Sequence, residues 1–268
     1  MNEELDLKQI IEWYITAGVE ETAGDVPFAP PPAAAQPVPV RPAGSPKPSD
    51  SGRQATTVLA QATIDAGNNA RDLCKSINNL DELKALVEGF DGCSLKFTAS
   101  HTVFGDGSPE AKVVFIGEAP GADEDRIGRP FVGRSGQLLD KMMNAAGLSR
   151  ENCYITNVLP WRPPGNRTPT DGEIAVCLPF LKRQIDIINP DYLFILGGSA
   201  ANALLDMQES ISRLRGHWLE YKNASGKEIK VLASFHPAFL LRNPAQKAKA
   251  WVDLLRLSKK IAEESVEK

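Results

Sequence analysis

Residues 113–136 read VVFIGEAPGADEDRIGRPFVGRSG, and this stretch decides the fold. It opens with four apolar residues, a run that is typical of a buried central strand in a parallel sheet. A turn follows at once, because Pro120 has no amide hydrogen and Gly121 reaches backbone conformations that other residues avoid. Glu118 is therefore predicted at the carboxyl end of a strand, the edge at which open α/β sheets bind their ligands.

The second half of this stretch predicts a helix start beside an aromatic residue. Ser135 and Gly136 precede an amphipathic pattern that begins at Gln137, and the free amides of the first turn of such a helix can hold a phosphate. Phe131, in the loop before this helix, is expected to be exposed. The acidic run 123–125 is interpreted as a solvated loop without a catalytic role. A carboxylate, an aromatic ring and an anion site are thus expected within one loop.

Composition and charge narrow the class of protein. The chain has 268 residues, 42% of them hydrophobic, which is enough for one substantial core. No apolar run is long enough to cross a membrane and the acidic start MNEELDLKQ is not a signal peptide, so we expect a cytoplasmic protein. The net charge of −4 argues only weakly against a polyanionic partner, because a total hides local patches. No GxxxxGK[ST] motif occurs, which argues against a nucleoside triphosphatase.

The first 55 residues are predicted to lie outside the globular domain. Residues 1–20 are predicted to form a short amphipathic helix, which either docks on the main domain or binds a protein partner. Residues 21–55 are a predicted linker, because the segment 27–50 holds nine of the twenty prolines. The globular domain is then expected to comprise residues 56–268.

Four apolar runs alternate with helical patterns along the globular part of the chain. The runs are residues 113–116, 153–156, 192–196 and 230–235. Such alternation predicts a parallel sheet with helices on both faces. Glu118, Asn157, residues 197–199 and His236 follow these predicted strands, so we expect them to meet at one edge of the sheet.

Basic and apolar residues in the predicted loops indicate a nucleic-acid partner. The segment FHPAFLLRNP places Leu240 and Leu241 at a predicted loop tip beside Arg242, which suits a wedge that enters a base stack while the arginine meets phosphate. Arginines of several loops are expected at the same edge, namely Arg126, Arg129, Arg134, Arg162, Arg167 and Arg242. An acidic protein can therefore present a basic face there.

Three motifs, taken in order, resemble the family-four uracil-DNA glycosylases. They are GEAPGADEDRIGRPFVGRSGQLL, YITNVLPWRPPGNRTPT and FHPAFLLR, and the resemblance covers about residues 90–251. It implies a three-layer α/β/α fold with a central parallel four-stranded sheet. It also implies base excision repair by hydrolysis of the bond between uracil and deoxyribose in single- or double-stranded DNA. A monomer associated with the nucleoid of a prokaryote is the expected setting.

The resemblance also implies roles for individual residues. Glu118 would position the attacking water, His236 would donate to uracil O2, and Asn166 would assist near the water or the base. The uracil pocket would be built from Gly117, Gly121, Phe131 and Asn157, with the ring of Phe131 stacked on the base. The DNA contacts would come from Arg134, Ser135, Ser199, Leu240, Leu241 and Arg242. These residue types suit a reaction that develops charge on the sugar and on an extruded base.

Two alternatives to a hydrolytic glycosylase follow from the same residues. A non-catalytic nucleotide or nucleic-acid binding module would explain the glycines and basic loops, but not the joint presence of Glu118, Asn157 and His236. A relative that becomes covalently trapped on the abasic product would need a histidine in an inserted basic loop, and residues 163–169 contain neither. Hydrolysis with turnover is therefore favoured.

The resemblance also bears on a cofactor, because the family carries a four-iron four-sulfur cluster on four cysteines. Cys93 and Cys177 match two of the ligand positions, whereas the other two fall on Phe90 and Trp161. Since such clusters normally need four thiolates, we expect no metal and no cofactor, with the two large side chains filling the cluster's volume. The alternative is a rearranged four-iron four-sulfur cluster that uses one of the remaining cysteines, Cys74 or Cys153.

Overall fold

The computed structural model describes the backbone of residues 50–266 and the side chains of residues 61–265. The predicted N-terminal helix at residues 1–20 and most of the predicted linker at residues 21–55 lie outside these described residues. By its internal contacts the chain divides into two units after Ala60, and the sheet belongs to the unit that begins at Gln61. No helix of this described part is both long and apolar enough to cross a membrane.

Helices and strands alternate along the described chain. The helices are α1 (Asp50–Cys74), α2 (Leu80–Gly89), α3 (Ala122–Ile127), α4 (Arg134–Ala145), α5 (Asp171–Ile188), α6 (Gly198–Leu205), α7 (Ile211–Leu214), α8 (Pro237–Arg242) and α9 (Lys247–Val266). The strands are β1 (Asp106–Gly107), β2 (Val113–Gly117), β3 (Cys153–Asn157), β4 (Tyr192–Leu196), β5 (Trp218–Lys222) and β6 (Glu228–Ser234).

The strands form one sheet in the order β1-β3-β2-β4-β6-β5. The central strands β3, β2, β4 and β6 run parallel, which confirms the predicted parallel sheet. The outer strands β1 and β5 pair antiparallel to it and were not predicted. β1 has two residues, and β5 alternates exposed and half-buried positions, so neither offers the continuous apolar run that marks a buried strand.

Helices cover both faces of this sheet. Val114 and Ile116 of β2 belong to a core cluster that includes residues of α2, α5 and α6. Phe115 points to the opposite face, where its ring lies 5.2 Å from that of Phe194 in β4. Helix α4 contacts both α8 and α9 on that second face. The result is the predicted three-layer α/β/α fold.

The parallel register brings the carboxyl ends of the central strands side by side. Gly117 at the end of β2 pairs with Asn157 at the end of β3, and Leu196 of β4 pairs with Ser234 of β6. The segments that follow these strands therefore emerge at a single edge of the sheet, as expected of a parallel arrangement.

Three segments differ from their predicted conformation. Residues 237–242 form helix α8 rather than a loop, because Pro237 occupies the first helical position and the His236 ring caps the helix start. The acidic run 123–125 belongs to helix α3 rather than to a solvated loop, and Glu124 is buried. Helix α4 begins at Arg134, three residues before the predicted start at Gln137, so residues 135 and 136 lie inside its first turn.

Candidate active site

A cleft of about 440 Å³ opens at the carboxyl edge of the sheet, and we call it the edge cleft. Its lining includes most of the predicted site residues, namely Glu118, Gly121, Phe131, Ser135, Asn157, Asn166, His236 and Arg242. They come from the ends of β2, β3 and β6 and from the segments that follow these strands, which the parallel register sets side by side. The structure therefore brings together residues that are far apart in the sequence.

Glu118 supplies the carboxylate of the edge cleft. Its backbone carbonyl accepts the amide hydrogen of Leu159 at 3.0 Å, which anchors the residue between β2 and the segment after β3. The side chain of Glu118 is half-buried. This burial raises the pKa of Glu118 above its ordinary value, although a hydrogen bond with Ser199 lowers it in part. Ser199 was expected to contact DNA, but its hydroxyl lies against this carboxylate. A carboxylate here can accept a hydrogen bond from a water molecule.

His236 presents a neutral imidazole to the edge cleft. Its Nδ1 accepts the backbone amide hydrogen of Ala238 at 3.1 Å, so the ring proton of the neutral form is assigned to Nε2. Burial lowers the pKa of His236 to about 4, with the positive charge of Arg242 as a further cause. At neutral pH the ring is therefore a hydrogen-bond donor through Nε2 and carries no charge.

Asn157 supplies an amide with an unpaired acceptor. The residue is buried at the end of β3, and within the described residues its Oδ1 has no hydrogen-bond partner. A Cβ atom at Gly117 would come within 2.4 Å of this Oδ1, so only glycine leaves the space beside it. A buried unpaired acceptor is costly, which indicates a ligand that donates a hydrogen bond to it.

The ring of Phe131 forms a wall of the edge cleft. The expectation that Phe131 is exposed is wrong, because only 4% of the residue is accessible. A Cβ atom at Gly117 would lie 2.6 Å from this ring, and the ring centroid lies 5.6 Å from that of His236 at a tilt of 33°. Such a ring can stack on a planar heterocycle.

Asn166 lies at the exposed rim of the edge cleft. Its backbone has a φ of 56°, a left-handed conformation that asparagine tolerates better than most residues. Its Oδ1 accepts from Nε of Arg162 at 2.7 Å, and Arg162 in turn lies 3.9 Å from Asp125. The side-chain oxygen of Asn166 is thus held by an arginine, while its amide nitrogen remains the group with which it can act.

One of the predicted DNA contacts is not at the surface. Leu240 is fully buried, so its predicted place in a wedge is wrong: helix α8 turns this side chain inward. Leu241 is 37% exposed. It lines a neighbouring groove of about 460 Å³ together with Arg134, Ser135 and Arg242.

Most arginines of the predicted basic face are paired with acidic side chains. The pairs are Arg126 with Asp123, Arg129 with Asp106, Arg162 with Asp125, and Arg167 with Glu173. Within the residues that the structure describes, Arg134 and Arg242 have no ion-pair partner. Of the six arginines, the two whose charge is not offset by an acidic partner therefore lie beside the edge cleft.

The fold and the edge cleft define a class of protein: a three-layer α/β/α protein with a carboxylate, an amide and a neutral imidazole in one cleft at the carboxyl edge of its sheet. The chain belongs to the uracil-DNA glycosylase superfamily, whose family model matches residues 104–255.

Several named relatives are similar to this chain. A type-4 uracil-DNA glycosylase of Thermotoga maritima is 44% identical over 158 residues, which cover 59% of this chain and 80% of the relative. A type-4 enzyme of Archaeoglobus fulgidus is 41% identical over 172 residues, covering 63% and 86%. A type-5 uracil-DNA glycosylase of Pyrobaculum aerophilum is 33% identical over 147 residues, covering 49% and 63%. The type-4 enzymes are thus more similar to this chain than the type-5 enzyme is.

The prediction that the protein has no cofactor is contradicted by these comparisons. The type-4 glycosylases, which are 38 to 44% identical to this chain among the relatives considered, carry an iron–sulfur cluster. Membership of this group therefore implies such a cluster, and the expectation of a protein without one is corrected.

The residues at the family's cluster positions fit that group only in part. Cys93 and Cys177 are buried, with their Sγ atoms 3.8 Å apart. Phe90 and Trp161 fill the other two positions and are also buried, and Trp161 Nε1 donates to Thr102 Oγ1 at 3.1 Å. Two thiols therefore stand where a four-iron four-sulfur cluster takes four thiolates.

The rearranged cluster is not supported either. Cys74 and Cys153 are both buried free thiols, and Cys153 lies inside β3 as predicted. Among the described residues, no group of three or more histidine, cysteine, aspartate or glutamate side chains could hold a metal ion. These residues do not fit a cluster held by four thiolates.

Sequence reasoning missed two residues that bind the backbone around Phe131. Glu124 binds the backbone that follows Phe131, and Arg150 binds the backbone at Phe131 itself. The only sequence signal for Glu124 was its place in an acidic run. Arg150, 19 positions from Phe131, gave none, because its contacts arise from tertiary packing.

Proposed function

We propose that the protein hydrolyses the N-glycosidic bond of deoxyuridine in DNA, releasing uracil and leaving an abasic site. The observation that carries this function is the buried Asn157 amide, whose unpaired Oδ1 adjoins the Phe131 ring in a cleft that also holds Glu118 and His236. The similarity to type-4 uracil-DNA glycosylases supports it independently.

The reaction breaks the bond between C1′ of the sugar and N1 of uracil. The bonding electrons leave with uracil, which becomes an anion with charge on O2 and O4, while positive charge develops on the sugar. Water then forms the new bond to C1′ and loses one proton. Catalysis of such a step comes mainly from groups placed in advance where these charges develop.

Glu118 and His236 are of the types that these charges require. The carboxylate of Glu118 accepts a hydrogen bond from the attacking water, takes up its proton, and stabilises the positive sugar. Nε2–H of the neutral His236 donates to O2 of the leaving uracil, and the low pKa of His236 keeps that ring from protonating the base outright. Asn166 assists at the rim, through its amide nitrogen.

Asn157 and Phe131 recognise the base. The Oδ1 atom of Asn157 accepts from uracil N3–H, and its Nδ2 donates to O4. Cytosine presents an acceptor at N3 and a donor at its amino group, so both contacts would be mismatched. Stacking on Phe131 adds roughly 1 to 3 kcal/mol and does not depend on the identity of the base.

An Asn157→Asp variant is expected to release uracil at least roughly tenfold more slowly, because an ionised carboxylate cannot donate to O4. It should also discriminate less well against cytosine, whose amino group can donate to the carboxylate. Single-turnover rates on oligonucleotides that differ only in uracil or cytosine would measure both effects.

Asn202→Asp is the matched control for this variant. Asn202 lies in α6, outside the edge cleft, and its half-buried amide side chain binds the backbone of Glu209. We expect this control to retain wild-type excision and selectivity. Unchanged uracil release by Asn157→Asp would remove Asn157 from the pocket.

Contact with DNA is proposed for the exposed residues at the edge of the cleft. Arg134 and Arg242 would bind phosphates, Ser135 in the first turn of α4 would donate to the same backbone, and Leu241 would enter the base stack. Extrusion of uracil costs about a few kcal/mol, which stacking on Phe131 and the Asn157 contacts offset. The same contacts suit single- and double-stranded DNA.

The test of the proposed function is direct. The protein is incubated with uracil-containing oligonucleotides and matched thymine-containing ones, and abasic sites are then revealed by alkaline cleavage. We expect cleavage at uracil alone. Binding of uracil-containing DNA without release of the base would instead indicate a non-catalytic binding module.

The oligomeric state and the cellular location are proposed from the DNA substrate. A monomer located with chromosomal DNA in the cytoplasm, near the nucleoid of a prokaryotic cell, would meet this substrate. Residues 1–20 would form a helix that either docks on the catalytic domain or binds a protein partner, and residues 21–55 would link it to a catalytic domain of residues 56–268.

A further inference from the structure

Phe131 has an unusual backbone conformation for a bulky residue. Its φ is 54°, in the left-handed region that large side chains rarely adopt and that persists only when the surroundings enforce it. The ring that this backbone directs forms the wall of the edge cleft and meets His236. The groups that enforce the conformation therefore decide where the ring lies.

Glu124 holds the chain immediately after Phe131. Its Oε1 accepts the backbone amide hydrogens of Val132 and Gly133, each at 2.9 Å. Its Oε2 accepts the amide hydrogen of Gly121 at 3.2 Å. One buried carboxylate thus ties the Phe131 loop to the turn that follows Glu118.

Arg150 holds the carbonyl side of the same loop. Its Nη2 donates to the Phe131 carbonyl at 2.6 Å and its Nη1 to the Pro130 carbonyl at 3.1 Å. The remaining donors bind Asp106 and Asp140, so all the N–H groups of the guanidinium are used. Burial opposes the charge of Arg150, but hydrogen bonds with these two carboxylates raise its pKa above the ordinary value.

Gly136, in helix α4, packs directly against the backbone of the Phe131 loop. A Cβ atom at this position in α4 would lie 1.8 Å from the Phe131 carbonyl oxygen and 2.0 Å from its carbonyl carbon. Helix and loop are therefore in direct backbone contact there. The loop cannot relax toward α4, and the contacts of Glu124 and Arg150 restrain it on its other sides.

We propose that Glu124 and Arg150 are positioning residues that hold the Phe131 ring against the base in uracil excision. This proposal rests on the proposed function, since the ring position matters only if a base stacks on it. Glu124 borders the edge cleft, but three backbone amides already occupy its carboxylate. Arg150 acts only through the backbone and its two aspartates.

A double-mutant cycle tests whether Arg150 acts through the ring. Arg150→Lys keeps the charge but loses the planar fork that binds two carbonyls and two carboxylates together. We expect it to slow single-turnover uracil release roughly tenfold when Phe131 is present, and less than about twofold in a Phe131→Ala background. Affinity for DNA containing 2′-fluoro-deoxyuridine, which resists hydrolysis, should follow the same pattern.

Arg183→Lys is the matched control for a purely structural effect. The side chains of Arg183 and Arg150 are equally exposed, at 20%, and Arg183 also donates to a backbone carbonyl, that of Ile77. It lies in α5 and lines a different groove. We expect this control to lower the melting temperature without changing the rate of excision by the folded protein. Equal slowing by Arg150→Lys with and without the Phe131 ring would overturn the proposal.

Two substitutions of Glu124 separate positioning from a part in the chemistry. Glu124→Gln keeps a side-chain oxygen that can accept from Val132 and Gly133 and loses only the longer contact with Gly121, so we expect excision within about threefold of wild type. Glu124→Ala loses every acceptor and should be slower by roughly tenfold or more. Equal losses in the two variants would show that the charge is needed, which contradicts positioning. A wild-type protein that releases no uracil would instead refute the proposed function itself.

Discussion

Glu118→Gln is expected to slow uracil release by about 100- to 1,000-fold, because in the proposed mechanism it removes the negative charge that faces the developing positive sugar. The side chain keeps its size and its place after β2, so the edge cleft should retain its shape. Single-turnover excision measures the loss, and binding to 2′-fluoro-deoxyuridine DNA should change much less, since the charge matters most in the transition state.

The pKa of Glu118 gives this prediction a second readout. Burial raises that pKa, and the carboxylate acts only when ionised, so the wild-type rate should fall as the pH decreases through a value above the ordinary one for glutamate. Glu118→Gln should lack this acidic limb. A folded Glu118→Gln protein with the wild-type rate and pH profile would show that the carboxylate takes no part in the reaction.

Glu118→Gln is expected to slow the reaction but not to lower the stability of the folded protein. A raised carboxyl pKa means that the folded state disfavours the charge, and this cost is present above the raised pKa and disappears as the pH falls below the ordinary value. At neutral pH, Glu118→Gln should therefore melt at the same temperature as the wild-type protein or higher. A slow but stable variant distinguishes a catalytic role from a structural one.

His236→Ala is expected to cause a loss of similar size, about 100- to 1,000-fold, because the charge that appears on uracil O2 loses its donor. The ring is assigned as neutral with its proton on Nε2, so the donor is present across the neutral range. Single-turnover release of uracil again provides the measurement. His217→Ala is the control, since His217 is exposed and does not line the edge cleft.

The low pKa of His236 also predicts a pH dependence of stability. Folding lowers the pKa of His236 from 6.5 to about 4. Between these pH values the unfolded chain binds a proton on this histidine and the folded protein does not. Stability that is fully present above 6.5 is therefore lost as the pH falls toward 4. Melting curves of His236→Ala should show a weaker loss over this range, and an identical loss would contradict the lowered pKa.

Much of the sheet and of the edge cleft could be predicted from the sequence, because the signals are local. Each central strand is a short apolar run, and Glu118 and Asn157 stand where such runs end. The parallel register then brings those ends together without further information. Roles for the individual residues came from the resemblance of three motifs rather than from periodicity.

The errors concern side chains whose environment depends on packing across the fold. Leu240 was placed at a loop tip, but Pro237 starts a helix that turns it into the core. Phe131 was expected to be exposed because the motif in which it stands gives it a base to stack on, yet Gly117 and His236 lie against its ring. Arg150 binds that loop from 19 positions away, where no local pattern indicates a contact.

The pairing of most edge arginines with acidic side chains has a consequence for the thermodynamics of DNA binding. A protein releases condensed counterions from DNA roughly in proportion to the phosphates that it neutralises, with a slope of log affinity against log salt of about −0.9 for each. Arg134 and Arg242, the two without an ion-pair partner among the described residues, would give a slope near about −1.8. Affinity should then fall only roughly tenfold between 50 and 200 mM salt. Such weak salt dependence would leave recognition of the extruded base, rather than attraction to the backbone, as the main source of affinity for uracil-containing DNA.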